Sequence, residues 1–255
     1  LVAITAALAT GACYSNEAGS SCDTVSTQPS DFPLVFSPMY SAFDGEHVFK
    51  LPVAPLDGVS VDRWEVLDDR GVARKDAIDF VPDASFGGAM ITTRKSGDYT
   101  VRACAGNQIG SAPLHITQAD PSVWATGQQR YAEEIVLPMP MMPVPAGVTW
   151  EPARNLSCKN CHGEGPMYLD VEHTPQQTGG YSDAELGNII TMGTKPADEI
   201  VDSGIPLAIF QWFHTWMATD EERQGLVIYL RSLEPKSHGA LDFDGRMPTN
   251  GAVAP

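Results

Sequence analysis

The stretch GDYTVRACAGNQIGSAPLHIT, residues 97–117, decides how the first half of the chain folds. Tyr99, Val101 and Ala103 alternate with Thr100, Arg102 and Cys104, the two-residue period of a strand with one buried face. A turn follows, and SAPLHIT (111–117) reads as a second strand. Working outward, short β-rich runs recur at 34–36, 47–53, 61–69 and 89–95. Gly45, Asp57-Gly58, Gly71, Gly87-Gly88, Gly97 and Gly110 punctuate them at the spacing of a β-sandwich.

The Gly-x-Tyr-x-Val strand, its turn and the closing strand resemble the last hairpin of bacterial immunoglobulin-like domains. The resemblance implies that Tyr99 forms a tyrosine corner and that Trp64 is the core tryptophan. His47 and His115 lie within strand runs and read as surface or half-buried residues rather than metal ligands.

Length and composition set the frame. A chain of 255 residues suits two domains of ordinary size, and 43% apolar residues support a packed core. The formal charge of −16 argues against nucleic acid, whose phosphates call for lysine and arginine, and favours a basic protein partner.

The first residues, LVAITAALATGA, form an apolar run too short to span a bilayer and suited to the core of a secretion signal. Small residues ahead of Cys13 resemble a bacterial lipoprotein cleavage site, although Thr10 departs from the pattern. That resemblance implies export to the periplasm or cell surface and a membrane anchor through lipid on Cys13; plain secretion and an ordinary buried start are the alternatives. The polar stretch after Cys13 reads as a flexible tether. In an exported chain Cys22 and Cys104 join in a disulfide, stay as thiols, or leave Cys22 to pair elsewhere.

Cys158-Lys159-Asn160-Cys161-His162 carries the chemistry. One helical turn presents both thiols to a single porphyrin edge, and the adjacent histidine then falls beneath the iron. A zinc site of this kind needs a second C-x-x-C, and the sequence has none. No strand-then-helix pattern of a thioredoxin-type redox pair precedes the motif. The motif predicts one covalent haem c on Cys158 and Cys161, with His162 as an iron ligand.

Asp120-Pro121-Ser122 opens a helix with a capping aspartate and a first-turn proline, and Gly127 and Tyr131 share one of its faces. Thr219-Asp220-Glu221-Glu222 opens another with a capping threonine and an acidic first turn. Leu226, Tyr229 and Leu230 form the apolar face of that last helix. Together with the haem motif, these pieces resemble a class I cytochrome c over residues 120–235. In that family Gly127/Tyr131 would cross Leu226/Tyr229, and 179–193, capped by Ser182 and closed by Gly193, would be the middle helix.

The two resemblances together imply a two-domain architecture: an all-β immunoglobulin-like sandwich followed by an all-α class I cytochrome c fold. The expected boundaries are a signal remnant and tether at 1–30, the sandwich at 31–119, the cytochrome domain at 120–236 and a tail at 237–255. The long stretch between Tyr131 and Cys158, including LPMPMMPVPAG, departs from the family. It reads as a proline-stiffened loop with methionine as apolar filler rather than a Cu(I) site.

Class I cytochromes take a methionine as sixth ligand ahead of the last helix, often in a Met-Pro pair; here that pair is Ile205-Pro206. The nearby candidates are His214 and Met217, with His173, Met192 and Met167 more remote. His214 has the alternative of packing among Phe210, Trp212, Phe213 and Trp216 without touching iron. Two imidazoles would lower the reduction potential relative to a His/Met pair.

The leading expectation is a monohaem electron carrier exchanging single electrons with redox proteins, its sandwich serving as spacer or docking module. A haem enzyme subunit, or a gas or redox sensor with a labile or open sixth position, is the second. A haem-free adhesion lipoprotein is the third, disfavoured by the intact C-x-x-C-H.

Overall fold

The computed structural model describes residues 31–83, 87–133, 157–162, 173–194, 196 and 214–236, with residues 160 and 161 described by their backbone alone. Expectations for the tether with Cys13 and Cys22, the 137–147 stretch, Met167, Ile205-Pro206, the aromatic residues at 210, 212 and 213, and the tail at 237–255 lie outside the described residues.

Seven strands are described: β1 (Met39–Phe43), β2 (Lys50–Val53), β3 (Arg63–Leu67), β4 (Ile78–Asp83), β5 (Gly88–Thr93), β6 (Gly97–Ala105) and β7 (Gln108–Gln118). They form one sheet in the order β1-β7-β6-β3 and another in the order β2-β5-β4. The 97–117 hairpin is the spine of the first sheet, with Tyr99 opposite Leu114, Val101 opposite Ala112 and Ala103 opposite Gly110. Tyr99, Val101 and Ala103 all point into the core. There Phe36, Leu51, Ile91 and Leu114 meet from both sheets. Each buried large side chain contributes about 1.5–3 kcal/mol, which is why this period fixes the register.

The Tyr99 hydroxyl donates to the Ser96 carbonyl at 3.0 Å, the local contact of a tyrosine corner. Trp64 is half-buried and stacked on Phe80 at 6.0 Å, flanking the core rather than filling it. Gly110 is required by contact: a Cβ there would lie 2.3 Å from the Phe32 ring. The leading strand falls at 39–43, where β1 pairs parallel with β7, whereas Phe32 and Leu34 make only isolated bridges. Cys104, on β6, is disulfide-bonded.

Five helices are described: α1 (Pro121–Ala132), α2 (Cys158–His162), α3 (Pro175–Thr178), α4 (Asp183–Met192) and α5 (Asp220–Arg231). Asp120 caps α1 through the Ser122 amide. Full capping boxes open α4 (Ser182 with Glu185) and α5 (Thr219 with Glu222), and Gly193 closes α4 in the left-handed region. Helices α1 and α5 touch backbone to backbone: a Cβ on Gly127 would sit 1.8 Å from the Gly225 carbonyl oxygen.

These findings correct the expectation of an all-α class I cytochrome c fold after the sandwich. The described architecture is a β-rich sandwich with short helices laid against it, and an all-α cytochrome c fold is not shown. The physical reason lies in α5, which buries two faces. Leu226, Val227 and Leu230 join Tyr131, Leu186 and Ile189. Ile228 instead shares a cluster with Ala42, Phe49 and Ala119 of the sandwich and its exit. Arg231, fully buried, donates to the Thr178 carbonyl at 2.6 Å, the Tyr181 carbonyl at 2.5 Å and the Asp183 carboxylate at 3.1 Å. The Tyr40 amide donates to the Gly179 carbonyl at 2.8 Å, and Thr117 donates to Asp183 at 2.5 Å. The helical layer therefore draws part of its core from the sandwich. Among the described residues no helix is long and apolar enough to cross a membrane.

Candidate functional site

The C-x-x-C-H motif folds as the single turn α2, which packs beside α1. One turn of helix places residues three apart on neighbouring positions, so the backbone brings Cys158 and Cys161 to one side. Cys158 is half-buried and packed against the cluster that includes Tyr131 and Leu226. The side chain of Cys161 lies outside the described residues.

His162 ends the turn and is half-buried. The Tyr131 hydroxyl donates to its carbonyl at 3.1 Å, tying α2 to α1. Two further histidines converge on it. The His173 ring lies 3.9 Å from the His162 ring, and the His214 ring lies 5.9 Å away. These residues come from well-separated parts of the chain. Local contacts hold the third: Trp216 donates from its indole to the Ile190 carbonyl at 2.6 Å, and Thr215 bridges to Met192. The segment carrying His214 is thereby pinned to the end of α4. Met217, just beyond, is 68% exposed and stands outside the cluster.

His173 is the residue that sequence reading placed only as a remote candidate. It is buried, its backbone sits at φ +55°, and its Nδ1 has no hydrogen-bond partner. That backbone region costs an ordinary residue of order 1 kcal/mol or more and persists where the surroundings enforce it. Burial first, with the His162 and His214 imidazoles adding, holds His173 well below the ordinary imidazole value. It is a neutral ring at neutral pH. Three residues on, Gln176 is fully buried with both amide atoms unpartnered. Nothing local in His-Thr-Pro-Gln signals this, because the contact with His162 arises only in the fold.

Among the described residues no set of three or more His, Cys, Asp or Glu side chains converges to hold a bare metal ion. A porphyrin supplies four nitrogens of its own, so two axial side chains complete it. Metal–nitrogen bonds of about 2 Å put the centroids of two opposed imidazoles about 6 Å apart. The 5.9 Å between His162 and His214 fits an iron between them; the 3.9 Å between His162 and His173 does not. His162 and His214 would hold the iron of a haem attached at the Cys158 turn, with the His173 ring against that of His162.

Comparison with known proteins adds little to this geometry. No protein-family model matches the chain, and no curated protein matches it. Among solved structures, a chimeric titin Z1Z2 carrying a KLER peptide from decorin is 17% identical, covering 33% of this chain and 90% of that one, at a TM-score of 0.25. Titin M4 is 15% identical over 32% of this chain and 91% of its own, at a TM-score of 0.24. Bovine butyrophilin is 13% identical over 36% of this chain and 56% of its own, at a TM-score of 0.27.

Proposed function

We propose that this chain carries one haem c bound covalently through Cys158 and Cys161, with His162 and His214 on the iron, and that it transfers single electrons outside the cytoplasm. One observation carries the reading: at the end of the Cys158 turn, the His162 ring lies 5.9 Å from the ring of His214, a second imidazole that would reach the same iron. When bound, the haem supplies an iron that gains and loses one electron without bond chemistry.

The protein's own residues do the rest. Cys158 and Cys161 would hold the haem covalently. Tyr131 fixes the backbone of His162, and His173 backs its ring. Trp216 and Thr215 hold His214 in place, so little rearrangement accompanies electron transfer. The disulfide at Cys104 supports an oxidising compartment, in keeping with export and a lipid on Cys13. The chain reaches that cysteine's neighbourhood from the tether side: the Asp31 amide donates to the Ile109 carbonyl at 2.6 Å, and Ile109 stands opposite Cys104. The charge of −16 fits a basic redox partner.

The test is an optical spectrum of periplasmically expressed protein, oxidised and reduced, before and after acid–acetone extraction. A c-type spectrum that survives extraction, low-spin and without a sulfur-to-iron charge-transfer band, is the expected result. A methionine band would remove His214 from the iron, a high-spin spectrum would move the reading to a sensor or enzyme, and absence of haem would sink it.

A further inference from the structure

A continuous aromatic line runs from the histidine cluster to the surface of the sandwich. It begins at Tyr131, whose hydroxyl donates to the His162 carbonyl and whose ring stands 6.3 Å from that of His173. Tyr229 follows at 5.2 Å from Tyr131, Trp124 at 5.5 Å from Tyr229, and His47 at 3.6 Å from Trp124, nearly parallel to it. The His47 side chain is 30% exposed and lies between the exposed Glu46 and Val48.

Each link is separately held. The backbone contact of Gly127 with Gly225 draws α1 and α5 close enough for Tyr131, Trp124 and Tyr229 to interleave. The Trp124 indole donates to the Ser232 hydroxyl at 2.6 Å, and the buried Asp44 carboxylate grips the His47 ring at 2.7 Å. Tyrosine and tryptophan are among the side chains most readily oxidised by one electron. A line of them in near contact shortens every step an electron must make.

We propose that Tyr131, Tyr229 and Trp124 form an electron relay joining the iron site on His162 to the protein surface at His47. The inference rests on the haem reading and gives it an exit on the sandwich side. A one-electron oxidant of the metal-complex class at residues 46–48 takes one electron from Trp124 and is reduced by one. The site at His162 replaces that electron through Tyr131 and Tyr229 and is oxidised by one. Tyr131 and Tyr229 bridge the step without themselves being oxidised, so no bond breaks and no proton leaves; Trp124 keeps its N–H on Ser232, which is no base. The Asp44 carboxylate behind His47 stabilises the transient positive charge on the indole.

The test attaches a ruthenium polypyridyl photo-oxidant to Val48→Cys in the full, haem-loaded chain, with the unsubstituted chain as labelling control. Haem content is measured first, by the pyridine haemochrome. After a flash, oxidation of the iron site is followed by transient absorption, and the tryptophan radical by electron paramagnetic resonance. Trp124→Phe and Tyr229→Leu should each slow arrival of the electron by about tenfold or more, while Trp64→Phe leaves it unchanged. Thermal midpoints of the variants confirm that each remains folded. Rates unmoved by both substitutions, with haem in place, overturn the relay and leave the haem reading standing. Absence of bound haem overturns both.

Discussion

The histidines of the sandwich and those of the helical layer are the same residue in opposite surroundings. His47 and His115 each lean on a carboxylate, Asp44 at 2.7 Å and Asp98 at 2.6 Å. His162, His173 and His214 lie against one another, and the buried one has an unpartnered nitrogen in a left-handed backbone. Buried polar groups are ordinarily satisfied, so the sandwich histidines are explained by their own structure. The helical cluster is not. His173 Nδ1 and both amide atoms of Gln176 are buried there without a hydrogen-bond partner.

That contrast can be broken at either end. The largest effect should come from His214→Ala, which is expected to turn the oxidised haem from low-spin to high-spin, whereas Met217→Ala leaves the spectrum alone. The reverse result would return Met217 to the iron. Next is Arg231→Met, which strands the Thr178 and Tyr181 carbonyls and the Asp183 carboxylate and should cost about 3 kcal/mol. Urea unfolding followed by far-ultraviolet dichroism and by tryptophan fluorescence should shift together. Separate shifts would mean that the helices fold as a body of their own. Gly127→Ala forces α1 from α5 and should cost about 2–3 kcal/mol in the same assay.

Smaller effects sharpen the sandwich side. Tyr99→Phe removes the hydroxyl bond to Ser96 and should cost about 1 kcal/mol with no change in any haem spectrum. Asp44 gives a pH signature. Burial pushes its carboxyl up, but the amides of His47 and Glu46 and the His47 ring together outweigh burial, leaving it below the ordinary carboxylate value. Such a group stabilises the fold above its unfolded value of about 4, and the contribution is lost as pH falls through the folded value. The thermal midpoint should fall in that acid range, and Asp44→Asn should flatten the fall.

What could be read in the sequence followed local physics. The 97–117 hairpin shows because one face is buried and the other is not, and the caps at Asp120, Ser182 and Thr219 show because each satisfies its own helix end. The strand at 39–43 did not show. Met39, Ser41 and Ala42 are all buried, since Tyr40 and its neighbours lie under the α3 end, so no alternation survives. The strand at 78–83 was hidden by Pro82 and an exposed Val81. The motif at 158–162 is legible as a pattern of residues, and the fold sets the ring of His214 5.9 Å from that of His162. The place of His173 was not legible, because its meeting with His162 depends on how distant segments fold. For the same reason Ile228 and Arg231 read as ordinary helix residues, and the shared core behind them stayed out of view.

The close crossing of α1 and α5 also orders events in time. It ties segments separated by roughly 90 residues, a longer closure than the β6–β7 hairpin needs. As the chain emerges from its N-terminus, every strand described is present once Gln118 has appeared, while α1 must wait for Gly225. Cys158 and Cys161 arrive in that interval. The order of emergence is sandwich first, the Cys158 turn second and α5 last, so α5 docks onto elements that are already made.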